Sequence, residues 1–127
     1  MLVEGLYSLL AGSPELAAIV GSRITPVVLP MNPAIPAVTF AQISSRTLVT
    51  FNRAEISVDQ IEINVWASSY HDAASGKQAL HALLDMYQGT LSDGTVVMYT
   101  SSADGEDDFE KDSLLYRCRT TYTFVHR

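Results

Sequence analysis

The sequence has only one cysteine, Cys118, among its 127 residues. A disulfide within the chain and a zinc site built from several thiolates are therefore excluded. It has no apolar run of about 20 residues, so no segment is predicted to span a membrane. The stretch from Met1 to Gly5 has no basic cluster and no cleavable apolar segment, and we expect no signal peptide. These absences predict a soluble protein of a reducing cytoplasm.

Basic residues are also few, with 8 Lys and Arg against 14 Asp and Glu and a net charge of −6. Without a basic stripe, tight binding to nucleic acid is not expected. Most of the negative charge lies in one segment, 104–112, where Lys111 is the only opposing base. Its carboxylates alternate with a spacing that could attract calcium, but they do not follow the D-x-[DN]-x-[DN]-G-x₅-E pattern of a calcium loop, and we interpret the segment as an acidic surface loop. Its acidic residues are Asp104, Glu106, Asp107, Asp108, Glu110 and Asp112.

Motifs of catalysis are missing as well. The sequence contains no HExxH pair, no G-x-S-x-G elbow and no phosphate loop, and His71, His81 and His126 are not spaced as metal ligands. We therefore predict no catalytic, cofactor-binding or metal-binding residues, no cofactor and no enzyme activity. The rival hypothesis is a small enzyme using His71, Asp72 and Cys118, which would require these side chains to converge in a pocket.

One stretch, 56–88, carries the clearest structural pattern. Apolar and polar residues alternate through Ile61–Trp66, which predicts a strand with one buried face. Asp72 can then cap a helix whose apolar residues recur at helical spacing up to Tyr87, and Gly89 suits its end. A strand with one apolar face and a helix with one apolar stripe are expected to form a two-layer core.

The remaining segments are predicted to extend the layer pair formed by this strand and helix. Two short helices are predicted before and after Gly12, followed by a proline-rich connector. Further strands are predicted at 37–44, 96–100 and 114–126, the last with Cys118 on its apolar face. We expect one domain, 1–127, of the α+β class, with a mostly antiparallel four-stranded sheet, helices packed on one face and a long hairpin loop.

The hairpin loop at 45–54 lacks a clear pattern but holds apolar residues between two arginines. Exposed apolar side chains on a loop mark a contact surface, whereas a tip folded back on its own sheet would bury them. Arg117 and Arg119 share one strand face and either pair with Glu62 and Asp59 or contact another subunit. A bulge near 59–60 would bring Ile56 and Val58 into phase with the next residues. The predicted interface residues are Arg46, Leu48, Val49, Phe51, Arg53, Arg117 and Arg119.

Five segments occur in a recognisable order along nearly the whole chain. They are 13–26 (SPELAAIVGSRITP), 35–43 (IPAVTFAQI), 61–67 (IEINVWA), 73–89 (AASGKQALHALLDMYQG) and 115–124 (LYRCRTTYTF). Their order and spacing resemble those of the tail-completion or tail-terminator family of long-tailed bacteriophages and prophages. Neither 45–54 nor 104–112 can be matched residue by residue.

The resemblance implies a small α+β structural protein that assembles as a ring, usually of about six subunits. Such a ring caps the tail tube, so the implied partners are other copies of the chain, the major tail-tube protein and the head connector. The implied location is the tail–neck junction of the virion, after assembly in the host cytoplasm. DNA would pass through the lumen, and we expect the acidic segment 104–112 to face that lumen or the axial surface. The alternatives are a head-completion or neck protein and an unrelated protein-binding adaptor.

Overall fold

The helices and strands are seen in a computed structural model, which describes residues 2–21, 23–26, 35–49, 55–111 and 114–127. At positions 49 and 104 it describes the backbone alone. The described chain forms three helices and one six-stranded sheet, so the α+β class is confirmed. Within the described residues, no helix has the length and the apolar character needed to cross a membrane.

The two N-terminal helices begin and end where local sequence signals place them. Helix α1 spans Leu2–Ala11 and helix α2 spans Pro14–Val20. The hydroxyl of Ser13 caps α2 by accepting a backbone N–H at 3.3 Å, and a proline occupies the first turn. Gly21 ends α2 with a φ of 59°, a left-handed conformation that favours glycine. The predictions of two short helices are confirmed.

The sheet has the strand order β1-β2-β3-β6-β5-β4. Only β1 and β2 run parallel, and every other neighbouring pair is antiparallel. Two long antiparallel hairpins, β2–β3 and β5–β6, therefore form its centre. The strands are β1 (Ile24–Pro26), β2 (Ala37–Val49), β3 (Glu55–Ala67), β4 (Gly89–Thr90), β5 (Val96–Glu110) and β6 (Leu115–His126).

Helix α3 spans Tyr70–Leu84 and packs on β3 and β6. The hydroxyl of Ser69 caps its first turn by accepting the Asp72 N–H at 3.2 Å, so the cap lies three residues before the predicted Asp72. The helix also ends earlier than predicted, with Asp85 at its C-cap. Gly89 therefore does not end this helix but begins β4.

The core lies between the helices and the sheet face that carries Ile61, Ile63 and Val65. Because side chains alternate along a strand, the neighbouring strands place their own apolar residues on this face. The predicted apolar face of β6 is confirmed at Cys118, but Leu114 lies outside the strand and is exposed. The other fully buried side chains of the core include Leu6, Leu10, Leu16, Val20, Val38, Leu80, Leu84, Tyr122 and Phe124.

The predicted mostly antiparallel sheet of four main strands is confirmed in part, because the four long strands β2, β3, β5 and β6 are antiparallel neighbours. The structure differs from the prediction in three respects. First, the described chain adds two short edge strands, β1 and β4. Second, 45–49 is not a loop, because β2 pairs with β3 as far as Val49 opposite Glu55. Third, 103–110 is not a loop, because β5 pairs with β6 as far as Glu110 opposite Leu115. Backbone pairing with a long neighbouring strand overrides the loop-like composition of both segments. Residues 50–54 and 112 lie outside the described residues.

The bulge lies on a different strand from the predicted one. The register between β2 and β3 shifts between Gln42 and Ser44, which makes Ile43 the extra residue. In contrast, β3 pairs with β6 without interruption from Ser57 to Ala67. Residues such as Val58 therefore lie on the face opposite the core, and their position follows from the regular alternation of β3 without a bulge.

At Gly76 helix α3 lies close to the sheet. A Cβ placed on it would lie 2.6 Å from Cγ1 of the fully buried Val65. We expect Gly76→Val to lower the free energy of unfolding by about 2 kcal/mol or more, because overpacking displaces either the helix or a stiff β-branched side chain. Urea unfolding of this variant and of Ala82→Val, an exposed position on the same helix, measures the difference.

The variant Val65→Ala, alone and combined with Gly76→Val, tests whether the two side chains compete for the same space. If the two side chains compete for one space, the double variant is more stable than the two single losses predict, by about 1 kcal/mol or more. Strict additivity in the double-mutant cycle would contradict this account of the helix–sheet contact.

Candidate assembly surfaces

The face of the sheet opposite the core carries a polar row. Glu62, Asn64 and Trp66 alternate with the buried residues of β3 and are only partly buried. The register places Trp66 opposite Arg117 and Asn64 opposite Arg119, so both arginines lie on this face. The prediction that the two arginines share one face is confirmed.

These arginines take part in a network of ion pairs within the chain. Arg117 donates two hydrogen bonds to Asp108, at 3.0 and 2.5 Å, and its guanidinium lies 5.3 Å from the centre of the Trp66 ring. Arg119 lies 3.2 Å from Glu62 and 3.9 Å from Asp108. The paired arginine holds the pKa of Asp108 below its usual range, and the same hydrogen bonds raise the pKa of Arg117.

The predicted pairing of Arg119 with Glu62 is thus observed, whereas the predicted pairing with Asp59 is wrong. Asp59 lies on the opposite, core-facing side of β3, and its side-chain partners among the described residues are Ser45 and His126. A subunit contact through Arg117 and Arg119 stays a prediction. Any such contact would have to include a guanidinium already bound to a carboxylate.

The acidic segment does not act as one surface. Alternation along β5 places Asp107 on the helix-facing side, opposite Cys118, and Asp108 on the polar face. Asp107 accepts hydrogen bonds from the Tyr70 hydroxyl at 2.9 Å and from the Lys77 ammonium at 3.4 Å. Partial burial opposes ionisation of Asp107, but these two partners outweigh it and lower its pKa. The same hydrogen bond raises the pKa of Tyr70.

Two other acidic residues, Glu106 and Glu110, are exposed. The side chain of Asp104 and all of Asp112 lie outside the described part. The prediction that this segment faces a lumen or an axial surface is untested, and it now depends mainly on Glu106 and Glu110.

An aromatic pocket of about 370 Å³ opens where β5 and β6 approach the start of α3. Its walls include Tyr70, Phe109 and Tyr116, and the rings of Phe109 and Tyr116 lie 4.8 Å apart. Tyr70 and Phe109 are 46% and 44% exposed, so the pocket presents apolar surface to solvent beside the carboxylates of β5. Sequence reasoning missed this pocket, because it is assembled from three separated elements.

Cys118 lies at the base of this pocket but is 1% exposed. Burial, together with the negative charge of Asp107, raises the pKa of its thiol to about 11. His71 and Asp72 do not line the pocket, so the three residues of the enzyme hypothesis do not converge there. In the part of the chain that is described, no three His, Cys, Asp or Glu residues are grouped as a metal site.

The β2–β3 hairpin forms a second surface at the other end of the sheet. Arg46 is exposed, and Leu48, opposite Ile56, is 44% exposed. Arg46 belongs to a row that continues through Val58 and Val125 on the polar face. The predicted contact residues Phe51 and Arg53 lie outside the described residues, as does the side chain of Val49.

Hydrogen bonds to the buried Asp59 tie this hairpin to β6. Asp59 accepts the Ser45 hydroxyl at 2.5 Å and lies 2.7 Å from Nε2 of His126. The three residues come from β2, β3 and β6, and Asp59 is 5% exposed. Sequence reasoning missed this group. The available signal was a carboxylate at a core-facing position of an alternating strand, since a buried carboxylate needs partners.

The family described as "Tail completion protein gp17" matches residues 4–127. No curated protein matches the sequence. Among 27 similar chains of solved structures, one belongs to the "Virion of native gene transfer agent (GTA) particle". It matches with a TM-score of 0.75 at 16% identity, covering 95% of this chain and 90% of that one.

The fold defines a small α+β protein with exposed apolar side chains at the two ends of its sheet. The chain belongs to the tail completion protein gp17 family, because the family matches residues 4–127 of the 127. It is therefore a structural protein of the bacteriophage tail. The tail-completion family expected from the order of the segments is therefore confirmed.

The state of Cys118 can be tested by its reactivity. A thiol with a pKa of about 11 has only about one thiolate in a thousand at pH 8, and burial restricts access further. We expect an aromatic disulfide reagent to react with the folded protein at least about 100-fold more slowly than with the chain unfolded in urea. Equal rates would show an exposed, reactive thiol and would revive the nucleophile hypothesis.

The buried Asp59 group gives a second test. Asp59→Ala leaves the largely buried imidazole of His126 without its partner, whereas the exposed Ser45 hydroxyl can bond to water. We therefore expect a loss of about 1–3 kcal/mol in the free energy of unfolding, mainly from His126. Asp59→Asn keeps the shape and one acceptor oxygen and should lose less. Urea unfolding at pH 7 measures both variants, and equal, negligible losses would show that the group does not hold the hairpin.

Proposed function

We propose that this chain assembles as a ring, of about six subunits, that closes the end of the tail tube and joins it to the head connector. The family match over 4–127 is the observation that carries the proposal. The proposed partners are other copies of the chain, the tail-tube protein and the connector. The proposed place is the tail–neck junction of the virion, and the proposed role is structural, without catalysis.

The solved relative supports a virion location through its fold. That chain was solved within a phage-like particle, and it shares the fold of this chain over nearly its whole length. At 16% identity the likeness concerns the fold alone, so neighbours within the particle are not transferred.

A ring needs a heterologous contact, in which one patch of a subunit meets a different patch of the next. The chain offers two unlike patches at opposite ends of the sheet, the β2–β3 hairpin and the aromatic pocket. Exposed apolar side chains occur at both, with Leu48 at one and Phe109 at the other. Such side chains on a small protein mark sites of association.

The lumen is the second part of the proposal. DNA can slide past a wall that does not neutralise its phosphates, so an acidic or neutral inner surface suits the task. We propose that Glu106 and Glu110 face the lumen or the axial surface. A ring structure in which both lie on the outer rim would refute this placement.

The mass of the purified protein tests the ring. Light scattering across a concentration series should give about six subunits, and negative-stain images should show annular particles. A protein that stays monomeric alone should bind to the ends of added tail tubes, because a partner can induce assembly. A strict monomer that tail tubes fail to capture would contradict the proposal.

A further inference from the structure

Strand β5 has an open edge over much of its length. On its outer side, the short strand β4 reaches Val96 and Val97. The carbonyl of Thr100 accepts the N–H of Met86 at 3.1 Å. Between 103 and 110, no backbone group in the described part of the chain pairs with this side of β5. At roughly 3.3 Å per residue, this stretch presents an open edge about 26 Å long.

An open edge of this length is a template for another strand. Its outward N–H and C=O groups lack partners in a neighbouring strand, and every copy of the chain carries the same edge. Pairing of two edges requires neither a pocket nor complementary side chains, so it competes with specific assembly. Proteins with such an edge carry features that make the pairing unfavourable.

A bulge interrupts this edge. The register between β5 and β6 shifts between Asp104 and Asp107. Gly105 and Glu106 therefore lie together opposite Arg119. A Cβ on Gly105 would lie 3.0 Å from the carbonyl oxygen of Arg119, so the bulge leaves little space for a side chain at this position. Because a bulge bends and twists its strand, a regular strand pairs poorly with this edge.

Exposed carboxylates lie on the same stretch. Asp107 and Asp108 bind partners within the chain, whereas Glu106 and Glu110 are exposed. Pairing of two β5 edges would bring the exposed carboxylates of one copy close to those of the other. Like charges on paired strands are unfavourable, and charged side chains are a common protection of edge strands.

We propose that the bulge and the exposed carboxylates of β5 protect this edge against pairing with the same edge of a second copy. Glu106 and Glu110 act through their charge, and Gly105 acts through the shape of the bulge. The inference goes beyond the proposed ring and does not depend on it, because it concerns the edge of the single subunit. It also gives the acidic segment a role that is separate from facing a lumen.

Neutralising the two carboxylates tests the role of charge. The double variant with Glu106→Gln and Glu110→Gln should associate beyond the wild-type assembly at a concentration at least about tenfold lower, measured by light scattering at low salt. The matched control carries Glu4→Gln and Glu15→Gln, which remove the same two charges from exposed positions of α1 and α2. The control should behave as the wild type, and equal association of the two double variants would overturn the inference.

Deleting Gly105 tests the role of the bulge. The deletion leaves Glu106 alone opposite Arg119, so β5 gains a regular register with β6. Combined with the two glutamine substitutions, the deletion should lower the concentration for association by at least a further about threefold. An unchanged concentration would show that the bulge does not protect the edge. Circular dichroism and urea unfolding of the soluble fraction show whether each variant is folded.

Hydrogen exchange locates the contact between copies. In the soluble wild type, amides of 103–110 that point away from β6 should exchange freely. In the assemblies of the glutamine double variant, the same amides should exchange at least about tenfold more slowly, because they then donate to a second strand. Assemblies in which only other segments become protected would overturn the inference. Ring formation by the wild type is a separate measurement, so its failure leaves this test unaffected.

Discussion

The packing of α3 across β3 is the constraint on which the rest of the structure depends. Gly76 lets the helix approach Val65 closely, and this approach covers one face of the central strands. Once that face is committed to the core, alternation leaves the polar residues of the same strands on the other face. The two long hairpins lie at opposite ends of the sheet, where Leu48 and Phe109 are exposed.

The charged residues show that the composition of a segment does not by itself determine its structure. A dense run of acidic residues is typical of a solvated loop. In this chain the run pairs with β6 as part of β5, and its side chains alternate between the two faces of the sheet. Asp107 then binds Tyr70 and Lys77, while Asp108 neutralises Arg117. Much of the negative charge is therefore engaged within the chain, and only a part of it can act on a lumen or a partner.

The arginines follow the same principle. Arg117 and Arg119 were equal candidates with Arg46 in the sequence, since all three are cations at strand or hairpin positions. The structure separates them, because two are held by Asp108 and Glu62 and the third is exposed beside Leu48. A cation that already pairs with a carboxylate gains little from a second one. Arg46 is therefore a better candidate for a contact with a partner than Arg117 or Arg119.

Local sequence determined the caps of α2, the alternation of β3 and the covered face of β6, because these depend on short-range geometry and on the period of apolar residues. Segment order was enough to indicate the family. Tertiary structure decided the length of the hairpins, the position of the bulge at Ile43, the aromatic pocket and the buried group around Asp59. Each of these joins residues far apart in the chain, and pairing between distant strands is an energy that no local window of sequence contains.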